Sequence, residues 1–141
     1  MVLNVVLLTM PFKTHTTNSW YLDSGCSRHM TCNKTLFHEL ELKECGVVTF
    51  GDGSTKKVLG LGKIKILRLP CLNDVLFVDG IVANLISITH LCDSVHSVNF
   101  NKDGCTILDK SGQVVLQGIR LLDNCYCLDI DMNKCNLTNH E

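Results

Sequence analysis

The chain carries no excess of charge of either sign. Lys and Arg number 13 against 14 Asp and Glu, for a formal net charge of −1. A protein without a basic field cannot hold nucleic acid by counterion release, so no direct nucleic-acid contact is expected. A long apolar run is also missing. The nearest, Val2-Leu3-Asn4-Val5-Val6-Leu7-Leu8, is too short to span a bilayer and is interrupted by Asn4. It has neither the positive n-region nor the small-residue cleavage site of a signal peptide. It reads as a strand or a ragged gene-boundary segment, and no membrane partner is expected. Repeats, low-complexity tracts and linkers are absent too, so the 141 residues read as one domain.

Cysteine, by contrast, is plentiful. There are nine, and no pair has C-x2-C spacing. Cys135 and His140 offer two metal ligands, and two do not make a structural zinc site. No metal and no cofactor are expected. With no secretory signal behind them, the cysteines read as small apolar core residues of a protein in a reducing, cytoplasmic compartment. A disulfide framework and a cysteine-based metal or redox protein are the competing readings.

Strand signals dominate the rest. Val47-Val48-Thr49-Phe50 runs into Gly51-Asp52-Gly53-Ser54, and Asp-Gly between two strand-like runs predicts a tight hairpin. Lys57-Val58-Leu59 is followed, beyond Gly60-Leu61-Gly62, by Lys63-Ile64-Lys65-Ile66-Leu67, whose alternation gives one core face and one wet face. Val75-Leu76-Phe77-Val78 is continuous, as a buried strand is. Ser97 to Phe100, Cys105 to Leu108, Val114 to Leu116 and Cys125 to Ile130 follow, with turn-like residues between them. Helix is scarce. Thr35 to Leu40 suggests a turn or two. Leu85, Ile88 and Leu91-Cys92 have helical spacing, with Asn84 as a candidate N-cap. Many short strands and one short helix near residues 85–92 predict an all-β chain closed into a small barrel. The expected division is an N-terminal segment of uncertain status (1–17), a barrel domain (18–130) and a polar tail (131–141).

One tripeptide carries chemistry. Asp23-Ser24-Gly25 follows the apolar stretch Trp20-Tyr21-Leu22. A D-[ST]-G leaving a hydrophobic strand is the local signature of an aspartic protease. Such a site needs two facing carboxylates, one ionised to activate water and one protonated to donate. This chain has one, so the motif predicts a homodimer together with the chemistry. The plain alternative is an aspartate capping a turn. Ser24 or Cys26 with His29 suggests a nucleophile and base instead, but no third group presents itself to orient the base. Cys26 otherwise reads as a core residue.

The surrounding blocks make the motif specific. Trp20-Tyr21-Leu22-Asp23-Ser24-Gly25-Cys26-Ser27-Arg28-His29-Met30 resembles the active-site segment of copia-type retrotransposon proteases, W-x-L-D-S-G-[AC]-[ST]-x-H-M. Val48 to Ser54, Leu59 to Ile64, Asp74 to Val78 and Ala83 to Ile88 resemble the family's later blocks in the same order. The resemblance runs from about Ser19 to about Leu128 and implies a retropepsin-like (acid protease) barrel. The implied function is cleavage of the polyprotein that carries it. It also implies Asp23 as the catalytic residue of each half, with Ser24 bonding backbone across the dimer axis and Gly25 letting the mate approach. Gly51, Asp52 and Gly53 are the candidate tip of a mobile flap, with Gly60-Leu61-Gly62 competing. Leu85, Ile86 and Ser87 stand where retroviral relatives place two apolar residues and a glycine behind the catalytic loop. Ser87 in the glycine position implies a variant packing there. The alternative function is a catalytically silent barrel, either a relic or an interaction module.

Overall fold

The protein is described from a computed structural model. The described residues are 2–5, 19–66, 71–94, 96–121 and 125–129. In chain order the strands are β1 (Val2–Val5), β2 (Ser19–Asp23), β3 (Met30–Thr31), β4 (Glu39–Leu42), β5 (Val47–Phe50), β6 (Thr55–Ile64), β7 (Leu72–Val78) and β8 (Asn84–Ser87). The single α-helix among the described residues, α1 (Ile88–Asp93), comes next. It is followed by β9 (Ser97–Phe100), β10 (Gly104–Leu108), β11 (Val114–Arg120) and β12 (Tyr126–Asp129). The all-β expectation holds.

Closure into a barrel does not. The strands follow the open path β1-β5-β6-β7-β3-β8-β2-β12-β11-β10-β9, with β4 on a second edge of β6. No ladder joins β1 to β9 among the described residues. Most neighbours are antiparallel, but β2 runs parallel to β8, and β3 parallel to β7. These two crossovers place distant segments side by side at the centre of the path.

The central strands bury both faces. Alternate residues of β2 feed two separate cores: Tyr21 joins Met30, Val58, Leu76 and Leu85, while Trp20 and Leu22 join Val75, Ile86, Ile107 and Leu128. That is why Trp20-Tyr21-Leu22 and Val75-Leu76-Phe77-Val78 read as continuous apolar runs rather than alternating ones. Each such fully buried side chain contributes about 1.5–3 kcal/mol.

Local departures from expectation have local causes. β6 runs unbroken through Gly60 and Gly62. These glycines let β4 lie close: a Cβ at Gly60 would stand 2.7 Å from the Glu41 carbonyl oxygen, and one at Gly62 would overlap that of Glu39. Gly60-Leu61-Gly62 is therefore mid-strand, not a flap tip. Helical spacing from Leu85 is overridden by the pairing of β8 with β2, so the helix starts at Ile88 and its N-cap is Ser87, not Asn84. Residues 35–40 form a 3-10 turn at Lys34–Leu36 and then enter β4. The 51–53 hairpin forms, but as a three-residue loop in which Gly53 alone has positive φ (+85). The N-terminal apolar run contributes β1, parallel to β5. The polar tail at 131–141, with Cys135 and His140, lies outside the described residues.

Cysteine behaves only partly as expected. Cys26, Cys105, Cys125 and Cys127 are buried, Cys32 and Cys92 are exposed, and Cys45 and Cys71 are intermediate. No group of three or more His, Cys, Asp or Glu suited to a metal occurs among the described residues. Among them, too, no helix is long and apolar enough to cross a membrane.

Candidate active site

Asp23 is the last residue of β2, and the chain leaves the sheet there in a tight turn. Its Oδ1 accepts the Gly25 N–H at 2.6 Å. Its Oδ2 is buried and has no hydrogen-bond partner among the described residues. The residue as a whole is 3% exposed. Burial pushes the carboxyl above its ordinary value, and the Gly25 N–H and the Cys26 thiol offset part of that rise. The result is a carboxyl with one oxygen fixed and the other shielded, in surroundings that favour its protonated form.

The turn is held from behind by β8. In the parallel register Asp23 stands beside Ser87, which is fully buried. The Ser87 hydroxyl donates to the Cys26 carbonyl at 2.7 Å and accepts the His90 N–H at 3.1 Å. Thr89 Oγ1 lies 3.1 Å from the same oxygen. The Ser87 backbone N–H donates to His29 Nδ1 at 2.9 Å. Leu85 and Ile86 are buried one on each side of the sheet. Leu85, Ile86 and Ser87 thus lie on the strand beside β2, opposite Tyr21, Leu22 and Asp23 in turn. Ser24 is exposed and Gly25 half-buried.

Sequence alone offers His29 only as a base. The residue is 1% exposed, and its ring packs edge-on against His90, centroids 4.6 Å apart. Burial, helped by His90, lowers its pKa to about 3. With Nδ1 accepting from Ser87 it is a neutral structural acceptor. The Cys26 thiol is pushed up to about 12 by burial and then by the Asp23 charge. A thiol that stays protonated beside an occupied histidine is no nucleophile. The signal for His29's role lay in Ser87: a buried strand-end serine beside a turn must find acceptors for its N–H and O–H.

The Gly51-Asp52-Gly53 loop is exposed throughout and joins β5 to β6. Asp52 Oδ1 accepts from both the Ser54 N–H (2.9 Å) and hydroxyl (2.6 Å). Two surface grooves are lined in common by Glu41 and Leu61, and Asp23 lines neither.

Comparison with known proteins bears on residues 20–96, which match the family model described as Pol polyprotein, beta-barrel domain. That span begins one residue into β2, includes Asp23, the 51–53 loop and Ser87, and ends after α1. A retrovirus-related Pol polyprotein from transposon RE2 of Arabidopsis thaliana is 35% identical over 108 residues, 72% of this chain. The chain spans 7% of that relative's length. No solved structure matches.

Proposed function

This chain belongs to the Pol polyprotein beta-barrel domain family, and from that premise we propose that it is an aspartic endopeptidase domain acting as a homodimer, with one Asp23 from each copy. The observation that supports this most directly is the state of Asp23: Oδ1 tied to Gly25, Oδ2 buried and unpartnered. An unpaired buried carboxylate oxygen costs on the order of 1–3 kcal/mol or more, and a second carboxyl sharing one proton with it removes that cost. The paired groups then titrate as a unit. The ionised member takes a proton from water, which attacks the peptide carbonyl. The protonated member donates to the carbonyl oxygen, and the roles reverse as the amine leaves.

Ser24, exposed at the turn, bonds backbone of the mate, and Gly25 admits its approach. The 51–53 hairpin serves as the flap, its freedom supplied by exposure and by Gly53. The substrate is the polyprotein in which the domain is made, within the reducing interior of the cell.

A silent β-domain is the second reading, and one observation favours it: at 3% exposure Asp23 is closed off in the single chain. Association must uncover Oδ2 before two carboxyls can meet.

The test is to place the domain between two polyprotein-like flanks and express it beside an Asp23→Asn copy, at mildly acidic to neutral pH. Cleavage by the parent alone, with a dimer in sedimentation, is the expected result. A folded parent that leaves its flanks intact overturns the protease reading and leaves the silent domain.

A further inference from the structure

Ser87 and His29 lie outside the reacting groups, yet they hold the turn that carries Asp23, together with Thr89 Oγ1 at 3.5 Å from the Cys26 carbonyl and the burial of the Cys26 side chain in the core. The Ser87 hydroxyl has one proton and two lone pairs. Its proton goes to the Cys26 carbonyl, and the His90 N–H fills one lone pair. Thr89 Oγ1 lies 3.1 Å from the same oxygen and 3.5 Å from the Cys26 carbonyl, so its one proton serves one or the other. The Ser87 N–H, at the end of β8, finds its acceptor in His29 Nδ1. The His29 carbonyl in turn accepts the Leu76 N–H from β7 at 2.9 Å. The turn is therefore gripped at two points, Cys26 and His29, by the residue that stands in register with Asp23.

Resting on the dimeric protease reading above, the geometry points to Ser87 and His29 as a positioning pair that fixes the Asp23 turn in the orientation needed to meet its mate. A glycine at 87 keeps the strand and forfeits every hydroxyl bond. The serine thus makes the loop and α1 one body: the same oxygen that holds Cys26 caps the helix. His29 acts as a neutral acceptor, and its neighbour His90 touches it only by the ring edge. The titratable and charged groups around the turn are Asp23 itself, Cys26 and Arg28 within it, His29 at its end and His90 on α1.

A loosened turn changes more than the rate. Two carboxyls that share a proton have apparent pKa values driven apart by their proximity. If the turn drifts, the two values approach each other, and the bell-shaped pH profile of cleavage narrows from both sides. A role confined to stability leaves the bell unchanged.

Four chains decide the matter in the flanked-fusion assay: parent, Ser87→Gly, His29→Leu and His29→Asn. Asn Oδ1 occupies the place of His Nδ1 and still accepts the Ser87 N–H, whereas Leu cannot. Ser87→Gly and His29→Leu are expected to slow cleavage about 10- to 100-fold and to narrow the bell. His29→Asn is expected to restore both. A parental rate and bell in His29→Leu, or an Asn variant as impaired as Leu, overturns the proposal. Ser87→Gly adds no atom and carries the test if His29→Leu does not fold.

Failure of the protease reading is separable. If the folded parent does not cleave, amide exchange at Gly25 judges the pair on its own. Protection of that N–H about tenfold lower in Ser87→Gly, with Val58 unchanged in β6, supports it. Equal protection in both chains overturns it.

Discussion

Asp23 and Asp52 each turn back to accept an N–H from the residue two ahead, and there the likeness ends. Asp23 bonds Gly25 inside the protein; Asp52 bonds Ser54 in water. Burial raises the first carboxyl. The Ser54 hydroxyl and N–H, outweighing a smaller effect of burial, hold the second below its ordinary value. The same turn chemistry therefore yields a group that resists ionisation and a group that favours it. Environment, not motif, separates a candidate acid from a loop cap. The serines differ likewise: Ser87 is fully buried, and Ser54 is exposed.

The largest expected contrast is in cleavage. Asp23→Asn is expected to abolish self-processing of the flanked fusion, whereas Asp52→Asn, in the flap and away from the reacting groups, is expected to slow it without abolishing it. Equal losses in both would erase the distinction. Stability comes next. Ser87→Ala removes the shorter bond to the Cys26 carbonyl and the cap on the part-buried His90 N–H and is expected to cost about 1–2 kcal/mol in urea unfolding. Ser54→Ala, exposed, should cost no more than about 0.5 kcal/mol. Gly53→Ala falls between, at about 1 kcal/mol: its φ of +85 strains any Cβ although nothing lies within 4 Å to clash with one.

The smallest effect is a difference of sign with pH. With its folded pKa raised, Asp23 binds more proton folded than unfolded, so its contribution falls as pH rises from 3.8 through the folded value. At concentrations where the chain is monomeric, Asp23→Asn should raise the urea midpoint at pH 7 and lose that advantage below pH 3.8. Asp52, with its pKa lowered, contributes above 3.8 and loses that contribution as pH falls through its folded value. Asp52→Asn should therefore lower the midpoint at pH 7, and the deficit should fade in acid. Parallel slopes for the two variants would contradict the assigned environments.

Much of this was legible before any coordinates. The strand ending in Asp23, the 51–53 hairpin and the later strands announce themselves through apolar runs and turn residues. Three things did not. Leu85, Ile88 and Leu91 have helical spacing, but pairing with β2 outweighs local periodicity as far as Ser87. Gly60 and Gly62 look like a break, because the strand they accommodate, β4, is nearly all exposed and gives a weak pattern of its own. Strand count suggested a closed barrel, but which edges pair is decided by long-range register that no local pattern encodes. In the site, Asp23 was readable from its motif. The part played by His29 was not, because a buried acceptor and a catalytic base are the same residue type.

The parallel crossover at β2 and β8 also sets an order of events. Ser87 reaches the Cys26 carbonyl across 61 residues of chain, and β12 must still close on the other side of β2. Contacts so remote in sequence form late, after loop-closure entropy has been met. On a ribosome, the turn bearing Asp23 emerges before β8 and β12 and waits, unfastened, until they have followed it. A nascent or truncated chain therefore displays the aspartate without the grip that aims it, and the timing of any activity is set by completion of the fold.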